Sequence, residues 1–188
     1  GLGWFRACAR SAALRRALHR KRKRHAATYS ILCLRFGHRR LALFIRQLHR
    51  YEAGMQRVMI CGGPGSGKST LARIMGERTG LPVYHMAPFH WKPGWIERTS
   101  EEKIPLIREV HARDAWIFEG GNSSTFAERA ARADTMIWLD LPVTLRLFRV
   151  IWRTIRDQGK VRPDMAPDCP EGFHHETWRF WQYIWATR

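Results

Sequence analysis

The sequence predicts an α/β fold, a parallel sheet carrying helices on both faces. Two observations lead to it. From Met55 onward short apolar runs alternate with stretches of helical period, the pattern of strands joined by crossover helices. The first run, Val58-Met59-Ile60-Cys61, opens directly into Gly62-Gly63-Pro64-Gly65-Ser66-Gly67-Lys68-Ser69-Thr70, a strand, a glycine-rich loop and a helix start in the order that cradles phosphates.

Each element follows in turn. The loop leads into a helix over 68–79 closed by Gly80, with Leu71, Ile74 and Met75 on one side. A second strand covers 82–85. A Trp-rich loop, Phe89-His90-Trp91-Lys92-Pro93-Gly94-Trp95, precedes a helix beginning near Ser100. Ser100 with Lys103 forms no capping box, although Glu101 and Glu102 suit the helix's positive end. Trp116 to Glu119 reads as the third strand, ending in Gly120-Gly121, and 124–133 as a short helix. Thr135 to Leu139 is the fourth strand, ending at Asp140. Pro142 starts a long helix with Leu145, Phe148, Trp152 and Ile155 on its apolar face. After Gly159 comes a Pro-rich loop, then an amphipathic helix over 174–187 with Trp178, Trp181 and Trp185 on one side.

With 188 residues, 45% hydrophobic and 12% aromatic, the chain can fill one ordinary core. Charge is uneven. Residues 1–54 hold fourteen Lys and Arg against the single acid Glu52, so 14 − 1 gives +13 of the total +17, leaving +4 for the rest. The basic pI therefore describes a leader, 1–54, rather than the domain over 55–188, and does not make the whole chain a nucleic-acid binder. Three readings of the leader stand: an overextended start or added segment, favoured because Met55 lies three residues before the first strand; an Arg-rich, acid-poor targeting presequence; and a partly helical basic arm for nucleic acid or an anionic membrane. Arg35, Arg39, Arg40 and Arg46 interrupt its apolar stretch, so no transmembrane segment is expected, and a cytoplasmic location is. Cys8, Cys33, Cys61 and Cys169 lack paired spacing, and His85, His90, His111, His174 and His175 fit no ligand spacing on a helix; neither set predicts a disulfide framework or a zinc site.

The chemistry concentrates at the glycine loop. Gly62, Gly65 and Gly67 admit close backbone approach, and Lys68 offers a mobile positive charge to β- and γ-phosphates. Ser69 offers a hydroxyl to magnesium. These residues predict nucleoside triphosphate binding by 62–70. Parallel sheets bind ligands beyond the carboxyl ends of their strands, which brings in Glu119 as an acid for the magnesium, with Asp140 as its rival or as a cap for the next helix. Arg146, Arg149, Arg153 and Arg156 form a stripe on the long helix with no acid between them, suited either to clamping phosphates or to a solvated face. Arg162 extends it, and Asp164 or Asp168 could pair with it.

With these motifs the segment 55–188 resembles the adenylate-kinase-like P-loop proteins known as DNA topology modulation proteins (FlaR-like), bacterial relatives of the nucleoside monophosphate kinases. The resemblance rests on 62–70, Leu81-Pro82-Val83-Tyr84-His85-Met86, Trp91-Lys92-Pro93-Gly94-Trp95, Trp116-Ile117-Phe118-Glu119-Gly120-Gly121, Ile137-Trp138-Leu139-Asp140-Leu141-Pro142 and Arg162-Pro163-Asp164-Met165. It implies a P-loop NTPase fold of three layers, α/β/α, with strand order 2-3-1-4-5, ATP with Mg2+, an arginine-rich lid over 146–162 and an acceptor segment over 86–95. Relatives usually carry Asp where this chain has Ala87. The expected fifth strand would follow the last helix, where the chain stops, so an order 2-3-1-4 with the fifth strand missing, an open edge and a C-terminally truncated domain are expected.

The function this predicts is an ATP-dependent phosphotransferase acting on a nucleoside monophosphate or another small acceptor. Lys68, Arg149, Arg153 and Arg156 would be catalytic, and Ser69 and Glu119 would hold magnesium. Trp91 and Trp95 would stack an acceptor base or pack their loop. The alternative is a nucleotide-binding regulatory or DNA-topology-modulating protein with weak or no kinase activity.

Overall fold

A computed structural model describes residues 30–35, 54–173 and 175–186, with only the backbone described for 30–35 and 175–176. Its centre is a five-stranded parallel sheet. The strands are β1 (Ser30–Arg35), β2 (Arg57–Gly62), β3 (Val83–His85), β6 (Trp116–Glu119) and β7 (Thr135–Asp140), in the order β1-β7-β2-β6-β3. A separate hairpin pairs β4 (Trp91–Lys92) with β5 (Ile96–Glu97). The helices are α1 (Lys68–Thr79), α2 (Met86–His90), α3 (Ser100–Ala112), α4 (Ser123–Arg132), α5 (Val143–Arg156) and α6 (His175–Ala186).

β2 and β6 are apolar at nearly every position because the sheet is covered on both faces. On one face Leu71, Ala72 and Met75 of α1 pack on Val58, Ile60, Ile117, Ile137 and Leu139. On the other, Ile107 and Val110 of α3 meet Met59, Cys61, Phe118 and Met136, with Phe126 and Ala130 of α4 beside them. Strand alternation divides the two sets, so Ile117 and Phe118 serve opposite layers. In sequence order, the four strands of the domain lie 2-3-1-4, as expected.

The expectation of a missing fifth strand is overturned. β1, from inside the leader, pairs parallel with β7 from Ser30 opposite Thr135 to Arg35 opposite Asp140. An edge strand leaves a row of unpaired N–H and C=O groups, and an apolar hexapeptide can satisfy them wherever it sits in the chain. The remainder of the leader, including the basic cluster 20–24 and most of the apolar stretch 31–48, lies outside the described residues. Among the described residues no helix is long and apolar enough to cross a membrane.

Three local expectations are also corrected. The cap of α3 is Thr99, not Ser100: its side chain accepts from the Glu102 N–H while the Glu102 carboxylate accepts from the Thr99 N–H, the reciprocal pairing of a capping box. The Trp-rich stretch is one short helix and a hairpin, in which Gly94 (φ 76°) and Trp95 (φ 63°) turn the chain. Trp91 and Trp95 meet edge to face at 5.3 Å, packing their own loop. Finally, α5 carries no side-chain cap, so Asp140 does not cap it, and the solvated-face reading of its arginine stripe does not hold for Arg146. Arg146, Val150 and Thr154 are buried, while Phe148, Trp152 and Ile155 stand exposed.

Candidate functional site

β2 delivers the glycine loop to the carboxyl edge of the sheet. α1 starts at Lys68 behind Gly67, which has φ 93° and offers no side-chain cap, so the first N–H groups of the helix face the loop without a side-chain acceptor. Gly65 has φ 75°, and a Cβ there would collide with the Arg146 carbonyl and lie 3.0 Å from Val150 Cγ2. A side chain at Gly63 would instead run into the Arg146 guanidinium. The loop is thus clamped between α1 and α5. Ser66 Oγ, in a residue 1% exposed, has no hydrogen-bond partner among the described residues, a buried polar atom of the kind a ligand satisfies.

Lys68 Nζ folds back and donates to Gly63 O at 3.1 Å. Burial pulls its pKa below 10.5, against the opposing attraction of Glu119. Ser69 Oγ donates to Glu119 Oε1 at 2.9 Å, and His85 Nδ1 lies 3.0 Å from the same oxygen. Glu119 is only 5% exposed. Its burial pushes the carboxyl pKa up, but the His85 hydrogen bond, the Lys68 charge and the Ser69 hydroxyl outweigh this and hold it below 4.5. The sequence pairing of Ser69 with Glu119, fifty residues apart, is direct contact in the structure.

The stripe of arginines divides. Arg146 is buried against the glycine loop. Arg153 Nε reaches Glu171 Oε1 at 3.2 Å, Arg162 Nε reaches the same oxygen at 2.6 Å, and Arg162 Nη1 bonds Asp164 at 3.0 Å. The expected pairing of Arg162 with Asp164 is therefore present; among the described residues no ion pair joins Asp168 to it. Arg149 is partly buried, and desolvation lowers its pKa. Arg156 departs from expectation: its side chain is 63% exposed and paired with Asp157. The helix turns about 100° per residue, and ten residues beyond Arg146 it has carried Arg156 to solvent. Asp140 is exposed and does not join the cluster at Glu119.

His85, Asp164, Glu171 and Arg129 were not legible as site residues. His85, Glu119 and Asp164 offer ligand atoms all within 4.8 Å of one another, which corrects the reading of His85 as an isolated histidine. Asp164 is held below its ordinary pKa: burial raises it, but the Arg162 charge and the nearby Ser69 hydroxyl outweigh this. Arg129, fully buried, donates through Nη2 to Gly120 O at 3.0 Å and lies 4.7 Å above the Phe118 ring. His111 sits beside Trp116 and Phe118, its pKa pushed down to about 4 chiefly by burial. Cys61 and Cys169 are buried cysteines.

No protein family, no curated protein and no solved structure matches this chain. The class of protein that fold and site define is an α/β protein with a parallel sheet, helices on both faces, and a cationic glycine loop facing a buried carboxylate.

Proposed function

We propose that this chain binds ATP with magnesium on the loop 62–70 and transfers its terminal phosphoryl group to a small acceptor, in the manner of the nucleoside monophosphate kinases. The observation that carries the reading is the 2.9 Å contact between Ser69 and Glu119 beside a glycine loop backed by Lys68. A hydroxyl and a buried carboxylate side by side are hard oxygen donors suited to magnesium, and the partnerless Ser66 Oγ with the uncapped helix start fits a phosphate.

In this reading Ser69 and Glu119 hold the cation, which supplies positive charge beside the phosphates when bound. Lys68 releases Gly63 O and turns its ammonium to the β- and γ-phosphates. Arg146 and Arg153, on the face of α5 turned inward, neutralise developing charge. Arg149 remains a candidate on the same helix, and Arg156 is assigned no role. His85 keeps the Glu119 carboxylate oriented. The acceptor enters over 86–95, where Ala87 supplies no charge. The location consistent with this chemistry is the cytoplasm.

Ala87 favours a second reading, a nucleotide-binding regulatory protein that turns over ATP slowly and contacts DNA or an anionic membrane through the +13 leader. The test is ATP consumption by the full chain with magnesium against a panel of nucleoside monophosphates, with Lys68→Ala as the blank. Stimulation by one acceptor, lost in the blank, supports the kinase. ATP binding without stimulation by any acceptor supports the second reading, and no ATP binding at all refutes both.

A further inference from the structure

We infer that His85, Glu119 and Asp164 form a nucleotide-independent site for a first-row divalent transition ion, Mn2+ or Zn2+ by preference over Mg2+. The three side chains come from separate parts of the chain: His85 ends β3, Glu119 ends β6, and Asp164 follows α5. Their ligand atoms nevertheless converge within 4.8 Å. The inference deepens the cation role given to Ser69 and Glu119 but does not need ATP to bind.

Geometry and donor chemistry both point this way. Metal–ligand bonds of about 2.1 Å set neighbouring ligand atoms roughly 3.0–3.4 Å apart, and His85 Nδ1 already stands 3.0 Å from Glu119 Oε1. Contraction of the Asp164 arm by about an ångström completes the set. Two carboxylates match a divalent charge. The imidazole nitrogen decides the metal, because magnesium takes oxygen donors whereas manganese and zinc accept mixed nitrogen and oxygen sets. On binding, the His85 ring turns its Nδ1 lone pair to the ion and carries its hydrogen on Nε2. Arg162 can release Asp164 because it retains Glu171 at 2.6 Å. Since Asp164 belongs to the segment after α5, the ion ties that segment to the carboxyl edge of the sheet.

The test is Mn2+ binding to the full chain without nucleotide, read by loss of the free-ion electron paramagnetic resonance signal, followed by competition with Zn2+ and Mg2+. The expected result is one ion per chain, displaced by equimolar Zn2+ but not by a tenfold excess of Mg2+. His85→Ala and Asp164→Asn, each checked for native circular dichroism, should weaken binding at least tenfold, while His90→Ala should leave it unchanged. An unchanged free signal at millimolar Mn2+, displacement by equimolar Mg2+, or wild-type affinity in both site variants would overturn the inference. ATP binding with Mg2+ is measured on the same samples. If ATP binds but Mn2+ alone does not, this inference falls and the proposed function stands; if Mn2+ binds and ATP does not, the reverse holds.

Discussion

Replacing Lys68 by Met separates the lysine's role in binding from its role in the fold. Methionine keeps the unbranched stem and removes one charge. In the structure Nζ reaches Gly63 O at 3.1 Å, so a phosphate held by the loop amides would stand within about 4 Å of it. At an effective dielectric of about 20 that interaction is worth about 4 kcal/mol, or roughly a thousandfold in affinity at 1.4 kcal/mol per decade. Stability should hardly move. Burial lowers the Lys68 pKa from 10.5, so the native state tolerates the charge poorly, and Glu119 keeps Ser69 and His85 as donors when the lysine is gone. A change within about 1 kcal/mol, roughly 2–4 °C in Tm, is expected. The sign is checkable: a lysine whose folded pKa lies below its unfolded value adds stability as pH rises through the folded pKa toward 10.5, and the Met variant should lack that rise. The assay is calorimetric titration of ATP with magnesium, alongside thermal unfolding. Affinity within tenfold of the parent would refute the assignment of Lys68 to phosphate. A large fall in Tm with affinity retained would show that the lysine is structural.

Three further outcomes follow from the packing. His111, with both ring nitrogens lacking hydrogen-bond partners among the described residues and its pKa pushed down to about 4 from 6.5, stays neutral in the native state while the unfolded chain takes up a proton below 6.5. Its stabilisation is complete above pH 6.5 and is lost as pH falls toward 4; urea titrations at pH 7 and 5 should show His111→Phe losing less stability than the parent. Gly65→Ala should destabilise by about 2–4 kcal/mol, combining a left-handed backbone with a rigid carbonyl clash. Gly63→Ala should cost less than Gly65→Ala, because the clash is with the end of the Arg146 side chain rather than with backbone and no left-handed backbone is involved, and thermal unfolding distinguishes the two. Ala87→Asp should raise phosphotransfer to whichever acceptor stimulates ATP consumption; unchanged turnover would show that position 87 carries no role in it.

Much of this was legible in local sequence because it is governed by local physics. The helix 68–79 is bounded as read, since Gly67 and Gly80 both take left-handed conformations that glycine permits. Trp116 to Glu119 is a strand as read, because a run of three large apolar residues suits a strand covered on both faces. The contact of Ser69 with Glu119 followed from one topological rule, that parallel strands present their carboxyl ends together. The arginine stripe of α5 left two readings open, a phosphate clamp or a solvated face, and periodicity alone does not choose between them; Arg146 is buried against the glycine loop while Trp152 on the apolar face is exposed. The helix starts at Ser100 as read, but its capping box lies one residue earlier, on Thr99 with Glu102, than the Ser100 and Lys103 pair considered for it.

The sequence by itself determined the four strands of the domain, most of the helices between them and the glycine loop, since strands, turns and caps depend on neighbours a few residues away, and the rule of parallel strands then set Ser69 and Glu119 at one edge. Tertiary structure alone decided that β1 closes the edge of β7, that His85 and Asp164 join Glu119, and which arginines turn inward. Those outcomes depend on satisfying backbone groups and buried charges through space, and the chemistry of an imidazole or a carboxylate carries no record of which distant segment will stand beside it.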